Sequence, residues 1–219
     1  MTATIDQVRS RIEREGDDDA ALLARFAERL FDKADPAFLS AFDADALAAM
    51  ARGGLGFLRA AYGEGVFVDV VTPSFAADGW EAPLSVLRVT MPDRPFIVDS
   101  IRAELRRHDV ELLHLLHPIF RVVRAGDGAL DAFAARGAEG RDEAFELFFI
   151  ERLENEATAG VLADAVRRVL GDVVLATDDY PALRAQVREV AESLREVRRR
   201  TAQGRHREQG AELEEYAAF

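Results

Sequence analysis

The chain has 219 residues, a net charge of −12 and an isoelectric point near 4.9. That length carries one or two domains with a buried core, and the acidic balance lacks the basic footprint of a nucleic-acid or anionic-membrane surface. There is no cysteine, which excludes disulfides, thiolate catalysis and Cys-ligated metals; with no apolar leader and no run of about 18 apolar residues, we read a soluble cytoplasmic protein.

Residues 1–62 read as a helical segment. Ile5, Val8 and Ile12 recur at helical spacing, as do Leu22, Leu23, Phe26, Leu30 and Phe31 after the acidic run Asp17–Asp19, which suits a helix start. Asp35-Pro36 restarts the chain as an N-cap followed by proline at the first helical position. Asp43 caps a further helix carrying Leu47, Met50 and Leu58.

The period then changes. GEGVFVDVVTP (63–73) and LSVLRVTM (84–91) read as strands. Residues 95–108 predict a helix with Ile97, Ile101 and Leu105 on one face and Asp93 as its cap; Pro95 is tolerable there only in the first turn. VELLHLLHPIFRVVR (110–124) predicts a long strand that Pro118 kinks or ends. The glycine-rich 124–143 reads as a loop, and FELFFIERL (145–153) as another strand. Residues 157–170 predict a helix with Leu162, Val166 and Val169 inward, DVVLATDD (172–179) a last short strand, and Pro181 to about Arg200 a charged helix. The expected fold is therefore α+β: a ferredoxin-like β-α-β-β-α-β domain, one antiparallel sheet with two helices on one face, within residues 63–180. The helical segment 1–62 precedes it and a C-terminal helix, 181–219, follows.

Several phrases in order carry a resemblance: DGW (78–80), PLSVLRVTMPDRPFIVDSI (83–101), LLHPIFRVVR (115–124), FELFFIERL, and VLGDVVLATDDYPALRAQV (169–187). Over roughly residues 20–219 the chain resembles the N-terminal region of the large bacterial NAD-specific glutamate dehydrogenases. The resemblance implies an ACT-like domain, a module that elsewhere binds amino acids and regulates attached enzymes. It also implies a dehydrogenase domain far downstream, so the expectation is an excised domain or a truncated reading frame. NAD would then belong to the full-length enzyme and not to this chain.

The turn Asp93-Arg94-Pro95-Phe96 is similar to the Asp-Arg-Pro-Gly-Leu of many ACT domains, where glycine lets backbone amides approach an amino-acid carboxylate at a helix N-terminus. Here Phe96 holds the glycine position and would fill that approach, as a core plug or an interface anchor. The candidate ligand-binding residues are Asp93, Arg94, Phe96, Asp99 and Ser100. For Asp99 and Ser100 the plain alternative is a carboxylate complementing the helix dipole and an ordinary helical serine.

No catalytic or metal-binding residues are assigned. GGLGFLRAAYG (53–63) lies in a helical context with no preceding strand, and Arg59 stands where the third glycine of a dinucleotide fingerprint belongs. Lys33, the single lysine, sits among surface charges. His114 and His117 are three apart on a strand and so point to opposite faces; structural histidines are the default. The arginines at 195, 198–200, 205 and 207 interleave with Glu189, Glu192 and Glu196, which fits a salt-bridged solvated helix. Two functions stay open. One is a non-catalytic regulatory or assembly domain contacting sister domains or subunits of a homo-oligomer through sheet edges. The other is a free-standing amino-acid sensor acting in trans.

Overall fold

The computed structural model describes residues 5–16, 19–61, 65–126, 128–135 and 137–217. Asp17, Asp18, the start of the strand expected from residue 63 and the last two residues lie outside that set, as do the side chains of Glu196, Arg198, Arg200, Arg205 and Arg207. Residues up to Val173 form one compact unit and those from Val174 a second.

In the first unit, four helices precede the sheet: α1 (Ile5–Glu15), α2 (Ala20–Phe31), α3 (Pro36–Ser40) and α4 (Ala44–Ala60). Two expected caps are present. The Asp35 carboxylate accepts from the Ala37 amide at 2.7 Å, with Pro36 opening α3, and Asp43 accepts from the Ala46 amide at 2.8 Å. Each satisfies an amide the helix leaves unpaired. Asp19 precedes α2 but makes no cap bond; its carboxylate pairs with Arg59 at 2.6 Å instead.

The sheet contains β1 (Phe67–Val71), β2 (Leu84–Pro92), β3 (Leu112–Leu116), β4 (Ile119–Arg124), β5 (Leu130–Phe133) and β6 (Arg141–Glu151). Its order is β1-β2-β6-β4-β5, with β3 also paired to β6 and every pairing antiparallel. A short helix α5 (Phe75–Asp78) joins β1 to β2, α6 (Ile97–Arg107) joins β2 to β3, and α7 runs Glu156–Ala217. Because β2 and β4 both oppose β6, they are parallel to each other with β6 between them, the split βαβ arrangement. The expected break at Pro118 falls between β3 and β4, and the Pro118 carbonyl still accepts from the Phe145 amide at 3.0 Å.

The sheet is covered on both faces. Val86, Leu147 and Phe149 join α1–α4 in one core, where Phe26 stacks on Phe120 at 4.7 Å and meets Phe145 edge-on at 5.2 Å. Burying a phenylalanine this completely contributes about 1.5–3 kcal/mol. Gly54 of α4 permits the approach: a Cβ there would lie 3.1 Å from the Phe26 ring and 3.3 Å from Phe145. Leu87, Val89, Met91, Phe148 and Ile150 have the opposite phase and are almost wholly buried. Ile97, Ile101 and Leu105 of α6 and Leu162, Val166 and Leu170 of α7 are buried as well. Arg167 of α7 donates to the Val68 carbonyl of β1 at 2.8 Å.

Three local expectations are corrected. Residues 172–179 are not a strand but part of α7. The buried stripe Leu162, Val166, Leu170 continues to Val173, and the edge beside β2 that a closing strand would take is filled by β1. The 124–143 stretch is not all loop: β5 pairs with β4 and buries Phe133. Finally, α6 begins at Ile97 with Phe96 at its N-cap. Asp93 is no cap, because its amide continues the sheet ladder to the Asp142 carbonyl at 2.9 Å.

The second unit is the remainder of α7, a charged helix from Val174 onward.

Candidate functional site

The β2–α6 turn keeps a glycine-like backbone with a phenylalanine on it. Phe96 has φ 74° and ψ 5°, the left-handed region, which costs an L-residue about 1–2 kcal/mol. Its carbonyl accepts from the Ser100 amide at 3.0 Å, opening the helix. The ring is 65% exposed, so it is not a core plug. Arg94 and Ser100 are half-buried, and Asp99 is exposed in the first turn of α6. The turn holds these residues close in sequence, but it does not gather them round one cavity.

Asp93 alone of the five lines the main cavity, a space of about 730 Å³ between α2 and the sheet. Phe120 and Phe133 supply apolar lining, α2 contributes Arg25, Glu28 and Arg29, and Asp32 follows at its C-cap. Arg121 and Asp142 face it from the sheet, paired at 3.1 Å. Arg29 donates to the Ile119 carbonyl at 3.2 Å, on the stretch of β4 that β5 does not cover. Partial burial pushes the Asp93 carboxyl above its ordinary range, the Asp142 charge adds to this, and a hydrogen bond with the Arg94 backbone opposes it. The cavity therefore presents guanidinium and carboxylate groups together over an aromatic floor.

Two buried carboxylates of β6 escaped the sequence reading. Glu146 of β6 stands opposite Val89 and is 4% exposed, with Oε2 lacking a hydrogen-bond partner. Burial, and secondly the charge of Asp93, push its pKa up to about 8, so it is protonated at neutral pH. Glu143 is also buried. It accepts a two-pronged bond from Arg124 at 2.9 and 2.8 Å and a third from Arg141 at 2.6 Å. Arg124 also reaches the carbonyls of Leu58 and Gly128, tying α4 to the β4–β5 hairpin. The available signal was two acidic residues inside the apolar phrase EAFELFFI, in phase with neighbours buried on either face.

The remaining sequence candidates separate. His114 stacks on Phe38 at 4.1 Å, and burial lowers its pKa; His117 and Lys33 are exposed. Gly54 in GGLGFL serves helix–sheet packing within α4. Among the described residues, no group of three or more His, Cys, Asp or Glu is arranged to hold a metal, and no helix is long and apolar enough to cross a membrane.

An antiparallel sheet with a split βαβ core and helices against it is the architecture of an α+β, ACT-like domain. Residues 26–166 match the family described as glutamate dehydrogenase, ACT1 domain, and the chain belongs to that family. It is similar to the NAD-specific glutamate dehydrogenase of Pseudomonas aeruginosa, 31% identical over 146 residues, which are 60% of this chain and 9% of that protein. It is also similar to the NAD-specific glutamate dehydrogenase of Halomonas elongata, 29% identical over 134 residues, 60% of this chain and 8% of that one. The chain thus matches less than a tenth of the length of either relative. No solved structure matches it.

Proposed function

We propose that this chain is a non-catalytic regulatory and assembly domain of a large cytoplasmic NAD-specific glutamate dehydrogenase. A downstream domain of that enzyme would bind NAD and oxidise glutamate to 2-oxoglutarate and ammonia. The observation that carries the reading is the ACT1-family match over residues 26–166, joined to relatives more than ten times longer than the matched region. In this reading residues 1–62 and 63–180 act as the module, and 181–219 lead toward the rest of the enzyme. Sister domains or subunits dock along the sheet edges, of which β1 is one. An immunoblot of native extract with an antibody to this chain is expected to give one band several times heavier than 24.2 kDa. A band at 24.2 kDa, or NAD-dependent glutamate oxidation by the purified chain, would overturn the reading.

A second reading, an amino-acid sensor, is favoured by the mixed-charge cavity beside Asp93. An α-ammonium and an α-carboxylate could be met there by the carboxylates and guanidinium groups respectively. Asp93, Arg94, Phe96, Asp99 and Ser100 remain the turn through which binding would act on α6. Calorimetry of the purified chain against free amino acids tests this. Binding that weakens in Asp93→Asn supports the sensor, and no heat with any amino acid removes it.

A further inference from the structure

The second unit carries an apolar seam on an otherwise charged helix. Tyr180, Leu183, Val187, Val190 and Leu194 follow one another at steps of three, four, three and four residues. They are 60%, 55%, 68%, 58% and 65% exposed. The sequence continues the spacing to Val197. Arg188, Glu189, Glu192 and Arg195 occupy the other side and are exposed. Earlier in the same helix, Leu162, Val166, Leu170 and Val173 are buried, so the two apolar stretches differ in whether anything covers them.

Three-four spacing is the repeat of a coiled-coil seam, in which a and d side chains meet a second helix with the same repeat. With Tyr180, Val187 and Leu194 at the a positions, Leu183 and Val190 fall at d. Asp179 then lies at g and Arg184 at the following e. In a parallel, in-register pair, g of one helix meets the next e of the other, so Asp179 faces the partner's Arg184 with opposite charge; Gln186 faces Ala191, which is neutral. An antiparallel pair sets g against g and e against e and loses the Asp179–Arg184 attraction. The segment 180–194 spans only about 22 Å of helix, so the pairing is weak and concentration-dependent.

We propose that residues 180–197 pair with the same segment of a second copy of this chain as a parallel coiled coil. The inference rests on the helix alone and does not depend on the dehydrogenase reading.

Sedimentation of the purified 219-residue chain over a concentration series is expected to show 24.2 kDa monomers converting to dimers. Val187→Asp with Val190→Asp should abolish the dimer, while Glu189→Gln on the outer face should leave it intact. Because the chain has no cysteine, Leu183→Cys gives a clean orientation test: mild oxidation should cross-link it to itself, and Glu189→Cys should not cross-link. A monomer at every concentration would overturn the proposal and assign the seam to another segment or protein. A dimer that survives Val187→Asp with Val190→Asp, or a Leu183→Cys chain that does not cross-link within the dimer, would overturn it equally.

Discussion

Phe96 sits in a backbone conformation that glycine adopts freely, yet carries an aromatic ring that is mostly in solvent. Relief of the Cβ clash, about 1–2 kcal/mol, competes with the extra unfolded-state entropy of glycine, about 0.5–1 kcal/mol. Phe96→Gly is therefore expected to leave stability unchanged or raise it by up to ~1.5 kcal/mol in urea unfolding. A clear loss would mean that the ring packs against something in solution. Glu146 makes a pH-dependent case. Its folded carboxyl holds a proton until about pH 8, whereas its ordinary value is 4.5. The unfolded chain then binds fewer protons between those values, so this group's contribution is full below pH 4.5 and is lost as pH rises through about 8. The stability of Glu146→Gln relative to the parent should climb across that interval and level off above it. A difference independent of pH would show that Glu146 is ionised in the fold.

At the scale of elements, Glu143 joins β6 to Arg124 of β4, and Arg124 joins both to α4 through the Leu58 carbonyl. Removing one member of a buried ion pair strands the other charge, at a cost of about 3–5 kcal/mol. Glu143→Gln is expected to lose that much in chemical denaturation, and Glu143→Gln with Arg124→Met to recover part of it. Equal losses in the single and double variants would mean that Arg124 finds other partners. Element identity was mostly legible in the sequence: the caps at Asp35 and Asp43 and the break at Pro118 depend on residues within a turn or two. Reading 172–179 as a strand failed because the β-branched Val173, Val174 and Thr177 favour strands, while the stripe begun at Leu162 keeps the helix going.

At the scale of the molecule, the residues to Val173 form a unit with its own core. Trp80, the single tryptophan, is 7% exposed and packs edge-on against Phe42 at 5.7 Å. A chain ending at Asp179 is expected to unfold in one cooperative transition by Trp80 fluorescence, with a midpoint close to that of the full chain. A broad transition would mean that the first unit needs the rest of α7.

The sequence by itself determined the acidic, cysteine-free α+β character, the order of most elements and the family phrases, because propensity, capping and periodicity act over a few neighbouring residues. Of the candidate site it located the 93–100 turn and its glycine position. Tertiary structure alone decided that β1 fills the edge beside β2, that Asp93 borders the cavity while Phe96 faces solvent, and that Glu143 and Glu146 are buried. Each of those outcomes depends on which distant segment arrives to cover a strand edge or a sheet face, and local pattern carries no record of that.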